Sequence, residues 1–111
     1  MTTDCIFCKI AAGELPAKKV YEDDQIMAFY DIHPKASVHL LVIPKKHIAT
    51  LNELTSEDSA LISQLVLALP EIAAQQNLEG FRVVVNNGPG SGQIVYHLHF
   101  HILGGKQIPS F

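Results

Sequence analysis

The sequence predicts an α+β fold, an antiparallel sheet of about five strands with one short N-terminal helix and one long helix packed against it. Two observations carry this expectation. Five segments of strand character surround a single long stretch of helical apolar periodicity, and no repeat, low-complexity tract, linker or shift in composition divides the chain. With 111 residues, 48% of them hydrophobic, there is apolar material for one core, and residues 1–111 read as a single domain.

Each element has its own signals. Asp4 to Ala12 reads as the short helix, with Asp4 as N-cap, Gly13 as its stop and Pro16 shortly beyond. Val20-Tyr21-Glu22 and Gln25 to Asp31 read as strands around the turn residues Asp23-Asp24, and Ser37 to Ile43 as a buried strand closed by Pro44. Thr55 caps the long helix, with Asp58 at its third position, ahead of apolar Leu61, Ile62, Leu65, Val66, Leu69, Ile72 and Ala73. Pro70 falls inside that pattern and is expected to kink or split the helix, because it lacks an N–H and crowds the preceding turn. Phe81 to Asn86 reads as a strand, Asn87 to Gly92 as a glycine-rich loop and Val95 to Leu103 as the last strand.

Charge narrows the function classes. Eight basic against eleven acidic side chains give −3, which excludes the broad positive field that duplex nucleic acid or an anionic membrane would need. An anionic ligand must therefore be small and locally held. The longest apolar run, around Ser37 to Pro44, is interrupted by His39 and is too short to span a bilayer. Residues 1–4 show no signal-peptide pattern, so the expected location is the cytoplasm. There Cys5 and Cys8, spaced C-x-x-C, suggest a metal or redox pair more than a structural disulfide.

The strongest chemical signal is His97, His99 and His101, separated by Leu98 and Phe100. A strand's period of two places all three on one face and sends Leu98, Phe100 and Ile102 to the core. Packing gains nothing from such a row, since neighbouring imidazoles raise one another's cost of protonation. Two chemistries would use it: a metal site with imidazole ligands, or nucleophilic catalysis in which one ring attacks and its neighbours orient it. The row alone does not choose. The loop Asn86-Asn87-Gly88-Pro89-Gly90-Ser91-Gly92-Gln93 before it can form a nest of backbone N–H groups, which beside three histidines favours phosphate binding.

His97-Leu98-His99-Phe100-His101-Ile102-Leu103 resembles the His-x-His-x-His-x-x signature, with x apolar, of the histidine-triad (HIT) family of nucleotide hydrolases and transferases. The likeness covers nearly the whole chain. Asp31-Ile32 followed by Pro34, His39 to His47, and Gly92-Gln93 ahead of Tyr96 are similar to segments of its Hint-like branch. The resemblance implies a HIT-type fold, a homodimer with the two sheets joined edge to edge, and a purine nucleoside phosphoramidase type of activity. It makes His99 the nucleophile on the α-phosphorus, His101 a phosphate ligand and His39 a further histidine of the same pocket. It makes Asp31 the acceptor of the ribose hydroxyls, with Phe29, Ile32, Ile6, Phe7 and Ile10 as a purine slot. Asn86 and the backbone of Gly92, Gln93 and Ile94 correspond to the phosphate cradle.

Ile94 is a departure, since the family usually has Ser or Thr there, contacting the phosphate or leaving group. His33 is a lesser one, where Ser or Asn is usual. Cys5, Cys8, His47 and His97 correspond to the ligands of a structural zinc found in bacterial-type members and in the related galactose-1-phosphate uridylyltransferases. Other Hint-like proteins lack the cysteines, so the zinc is not needed for catalysis, and His97 would serve more as ligand than as catalyst. The expected function is hydrolysis of purine nucleoside monophosphate derivatives through a nucleotidyl-histidine. The alternatives are a nucleotide-binding or protein-binding adaptor, which Ile94 keeps open, and a dinucleoside polyphosphate hydrolase of the Fhit-like branch.

Overall fold

A computed structural model describes residues 4–109; the reading of residues 1–3 as free of a leader pattern lies outside the described residues. The elements are α1 (Ile6–Ala11), β1 (Lys19–Glu22), β2 (Ile26–Tyr30), β3 (Val38–Pro44), α2 (Ser59–Gln75), β4 (Phe81–Val84) and β5 (Phe100–Gly104). All strand pairs are antiparallel, in the order β1-β2-β3-β5-β4, as the α+β expectation requires. The β1–β2 hairpin is closed by Asp23, whose Oδ1 accepts from the N–H groups of Gln25 and Ile26 at 2.8 and 2.9 Å.

The sheet has two covered faces. Against one lies α2, whose Leu61, Leu65, Ala68, Leu69 and Ile72 pack on Ile26, Ala28, Leu40, Val42, Leu98, Phe100 and Ile102. Leu65 and Ile72 are fully buried, each contributing about 2 kcal/mol of transfer free energy. On the other face a smaller cluster of Met27, Phe29, Leu41 and Ile43 sits against Phe7 of α1. Covered on both faces, β3 is apolar without alternation from Leu40 to Pro44, with His39 the one polar residue of the strand. Gly104 ends β5 where a Cβ would stand 2.6 Å from both Leu78 methyls, a contact only glycine avoids.

Four boundaries correct the sequence reading. The cap of α1 is Cys5, whose Sγ accepts from the Cys8 N–H at 3.3 Å; Asp4 lies one residue too early, exposed in a turn. The Thr55–Asp58 capping box exists, but it closes a 3₁₀ turn over Ser56–Asp58, and the α-helix proper begins at Ser59. Pro70 does not split α2, which runs unbroken to Gln75. It sits on the solvent side, one turn after half-exposed Val66, where water can satisfy the carbonyl that the missing N–H leaves unpaired.

The fourth correction matters most for the site. The last strand begins at Phe100, not Val95, and β4 ends at Val84, not Asn86. Pairing stops at Val84 with His101 on one side and at Val42 with Phe100 on the other. Pro44 has no N–H to extend the β3 ladder, and its carbonyl accepts from the His97 ring at 2.7 Å. Residues 95–99 therefore leave the sheet and cross toward α1, held by the Leu98 N–H on the Ile48 carbonyl.

Candidate functional site

The alternation of the histidine row survives outside the ladder. Leu98, Phe100 and Ile102 enter the core under α2, and the three imidazoles turn to the face covered by α1. There they divide. His99 and His101, with ring centroids 5.0 Å apart, line a cavity of about 870 Å³. His97, fully buried, turns away to the two cysteines.

Backbone groups set the proton on each ring. His99 Nδ1 is 2.8 Å from the His97 carbonyl, which can only accept, so Nδ1–H donates and Nε2 keeps a bare lone pair. His39 Nδ1 accepts from the Lys35 N–H at 3.0 Å, which puts the His39 proton on Nε2. That N–H has His101 Nδ1 at 2.8 Å and Asp31 Oδ2 at 3.4 Å. His101 Nδ1 is then an acceptor, its proton sits on Nε2, and this buried Nε2 has no hydrogen-bond partner among the described residues. One cavity thus holds a bare imidazole nitrogen and an unanswered imidazole donor, a pair suited to attack a phosphorus centre while binding one of its oxygens.

Burial, reinforced by the neighbouring His99 and His39, holds His101 well down, at about 4, and burial also lowers His39. Both rings are neutral at pH 7. Because an unfolded histidine titrates near ~6.5, the unfolded chain takes up these protons first as pH falls. The stability they contribute is complete above about pH 6.5 and is lost progressively toward about pH 4. Denaturant titrations should show stability falling between pH 7 and 5, with a shallower fall in His101→Asn; equal slopes would refute the assignment of neutral rings.

The cavity gathers most of the residues expected from sequence. Ile6, Phe7, Ile10, Phe29, Asp31, Ile32, His39, Asn86, Gly92 and Ile94 all line it, as does His33. Phe7 and Phe29 meet edge to face at 5.5 Å, and Phe7 stands at 90° to His99, so α1 forms one wall of an apolar slot beside His99. Asp31 spends Oδ1 on the His33 N–H at 2.8 Å, and a carboxylate's remaining lone pairs leave it able to accept hydroxyls. Gln93 is placed differently. Its side chain braces the loop, Oε1 accepting from Gly88 N–H and Nε2 donating to the Ala49 and Val95 carbonyls, while Ser91 Oγ takes its own N–H. Lys18, Tyr30, Lys35, Leu41 and Pro109 are among the further residues of the lining, without any signal in the sequence that singled them out.

A second cluster lies around His97. Cys5, Cys8, His47 and His97 bring one donor atom each into a group that can hold a metal ion. His97 Nδ1 lies 3.3 Å from Cys5 Sγ, 3.5 Å from Cys8 Sγ and 3.3 Å from His47 Nδ1, and Cys8 Sγ lies 3.3 Å from His47 Nδ1. A tetrahedral ion with ordinary zinc–sulfur and zinc–nitrogen bonds spaces its donors about 3.3–3.8 Å apart, so the four atoms fit. The protonation state fits as well, because His97 Nε2–H donates to Pro44 and leaves Nδ1 bare. Burial pushes the Cys5 thiol up, an effect a bound cation would reverse. Asp31, His39 and His101 also bring donors together, but the Lys35 N–H keeps the proton on His39 Nε2, so that group is a hydrogen-bonded chain rather than a ligand set.

Comparison with known proteins supports the same picture. The family model described as "Scavenger mRNA decapping enzyme C-term binding" matches residues 4–110. An uncharacterised HIT-like protein of Synechococcus elongatus is 54% identical over 109 residues, spanning 97% of this chain and 96% of its own. Protein HitA of Neisseria gonorrhoeae is 49% identical over 102 residues, spanning 91% and 95%. Among solved structures, a histidine triad protein from Clostridium difficile superposes with a TM-score of 0.94 at 45% identity, covering 100% of this chain and 98% of that one. A HIT family hydrolase from Legionella pneumophila gives 0.91 at 49% identity, covering 96% of each.

Proposed function

The chain belongs to the histidine-triad family, and from that premise we propose that it hydrolyses purine nucleoside monophosphates joined to an amine, by way of a nucleotidyl-histidine at His99. The observation that carries this reading is the bare His99 Nε2 facing the unpartnered His101 Nε2–H across one cavity. The purine would enter the slot of Ile6, Phe7, Ile10, Phe29 and Ile32, with the ribose hydroxyls on Asp31. His99 Nε2 attacks phosphorus, the bond to the leaving amine breaks and the amine departs with a proton. Water then attacks the same phosphorus, the bond to imidazole breaks, and nucleoside monophosphate and neutral His99 are restored. His101 Nε2–H holds a phosphate oxygen in both steps. Incubation with a labelled adenosine phosphoramidate and acid-free isolation of a protein-bound nucleotide tests the sequence of events directly.

Cys5, Cys8, His47 and His97 would hold zinc, which ties α1, one wall of the slot, to the segment bearing His99. Reduced thiolates of this kind fit a cytoplasmic protein. A second copy would join along β4, one of the sheet's two edge strands.

A nucleotide-binding adaptor remains a second reading because of Ile94, an apolar side chain 88% exposed at the cavity rim where the resemblance leads one to expect a hydroxyl. If a hydroxyl there serves the leaving group, Ile94→Ser should raise kcat/KM on phosphoramidates about tenfold, mostly in kcat. An unchanged value, in a variant shown by sedimentation to be folded and dimeric, would mean that Ile94 is matched to other leaving groups.

A further inference from the structure

We propose that Lys35 selects substrates of this site whose leaving group carries a negative charge, a carboxylate or phosphate, close to the scissile bond. The inference rests on the hydrolase reading above and adds to it the chemistry of the leaving group. Lys35 and Lys18 are the lysines lining the cavity, and they differ in how their charge is engaged. The Lys18 ammonium lies over the Tyr30 ring, 5.3 Å from its centroid. The Lys35 ammonium has no ion pair and no hydrogen bond among the described residues; only its backbone N–H is used, on His39. Outside the cavity Lys19 and Lys45 pair with Glu22 and Lys46 with Asp58, while Lys9 and Lys106 have no carboxylate partner among the described residues; what sets Lys35 apart is an unpaired charge on the cavity lining.

Position favours the phosphate end of the cavity. Lys35 stands four residues before His39, whose ring contacts His101. The Lys35 backbone N–H donates to His39 Nδ1 at 3.0 Å, the residue belongs to the cavity lining, and its charge adds to burial in lowering both rings. Asp31 faces the same rings, but one of its oxygens is on the His33 N–H and the other is turned to His39. Asp31 keeps its negative charge on that side, and of the two lysine charges lining the cavity the Lys35 ammonium is the one with no partner among the described residues. Such an exposed cation discriminates modestly, about fivefold, and less at high salt.

The test uses the N-linked adenosine phosphoramidate of alanine and its uncharged alaninamide counterpart. Their binding is measured by calorimetry to His99→Ala, which cannot turn them over, with and without Lys35→Gln. The carboxylate compound should bind about fivefold tighter, Lys35→Gln should remove that preference, and affinity for the amide should stay unchanged. Lys18→Gln should keep the preference. Equal binding of the two compounds, a preference that survives Lys35→Gln, or one that disappears in Lys18→Gln would overturn the assignment. Turnover by the unmodified protein reads the hydrolase function separately: charge discrimination in binding without turnover would refute that function and leave the role of Lys35 standing.

Discussion

His99→Ala should lower single-turnover rates on an adenosine phosphoramidate by at least about a thousandfold while leaving adenosine monophosphate affinity within about tenfold. The asymmetry follows from where the ring acts. In the proposed reaction the bare His99 Nε2 would form its bond only as the leaving amine departs, whereas the product would be held by the slot around Phe7 and Phe29, by Asp31 and by His101, all of which the substitution leaves in place. Truncation also removes the edge contact of Phe7 on His99, which accounts for the small loss of affinity allowed. His99→Gly supplied with free imidazole should recover part of the rate, because the cavity left beside the His97 carbonyl admits a ring in the same orientation. A variant that kept near-normal turnover would eliminate the covalent mechanism.

The second large effect concerns the metal. Protein prepared without chelator should carry about one zinc per chain, and Cys8→Ser or stripping with a strong chelator should release it. The four ligands come from the start of α1, the loop after β3 and the crossing segment 95–99, which no ladder bond secures. Losing the ion frees all three at once. A loss of about 3 kcal/mol would lower the midpoint of thermal unfolding by about 10–20 °C in a domain of this size. The core under α2 does not touch the ion, so the stripped protein should still fold at low temperature and retain turnover per folded molecule. Elemental analysis finding no bound zinc, or melting indifferent to chelator, would show that the four side chains hold no metal.

Much of this molecule is legible in its sequence where a residue type forces a local geometry. The histidine alternation places imidazoles on one face whether or not a ladder forms, and Asp23 closes its turn with one carboxylate oxygen on two backbone N–H groups. The C-x-x-C pair, His47 and His97 form one cluster as the resemblance implied. What stayed hidden is carried by the main chain or by tertiary context. Cys5 caps α1 with a thiol that also stands 3.3 Å from His97 Nδ1, a tertiary context that propensities favouring Asp4 do not contain. Pro70 survives in α2 because it faces water, which periodicity alone did not decide. The last strand is short because Pro44 gives its carbonyl to a side chain. The Lys35 N–H has no residue signature at all, yet it sets the proton on His39 and, through it, on His101.

That reliance on the main chain bears on how the protein tolerates change over generations. The atoms that assign protons to the imidazoles are the Lys35 N–H, the His97 carbonyl and the Pro44 carbonyl. A carbonyl persists through any codon change, and an N–H persists through every replacement but proline. Drift at the rim, at Ile32, His33, Lys35 or Ile94, can therefore explore new leaving groups without disturbing which nitrogen attacks and which one donates. The reactive inventory is inherited with the backbone trace, and the side chains around it are free to diversify.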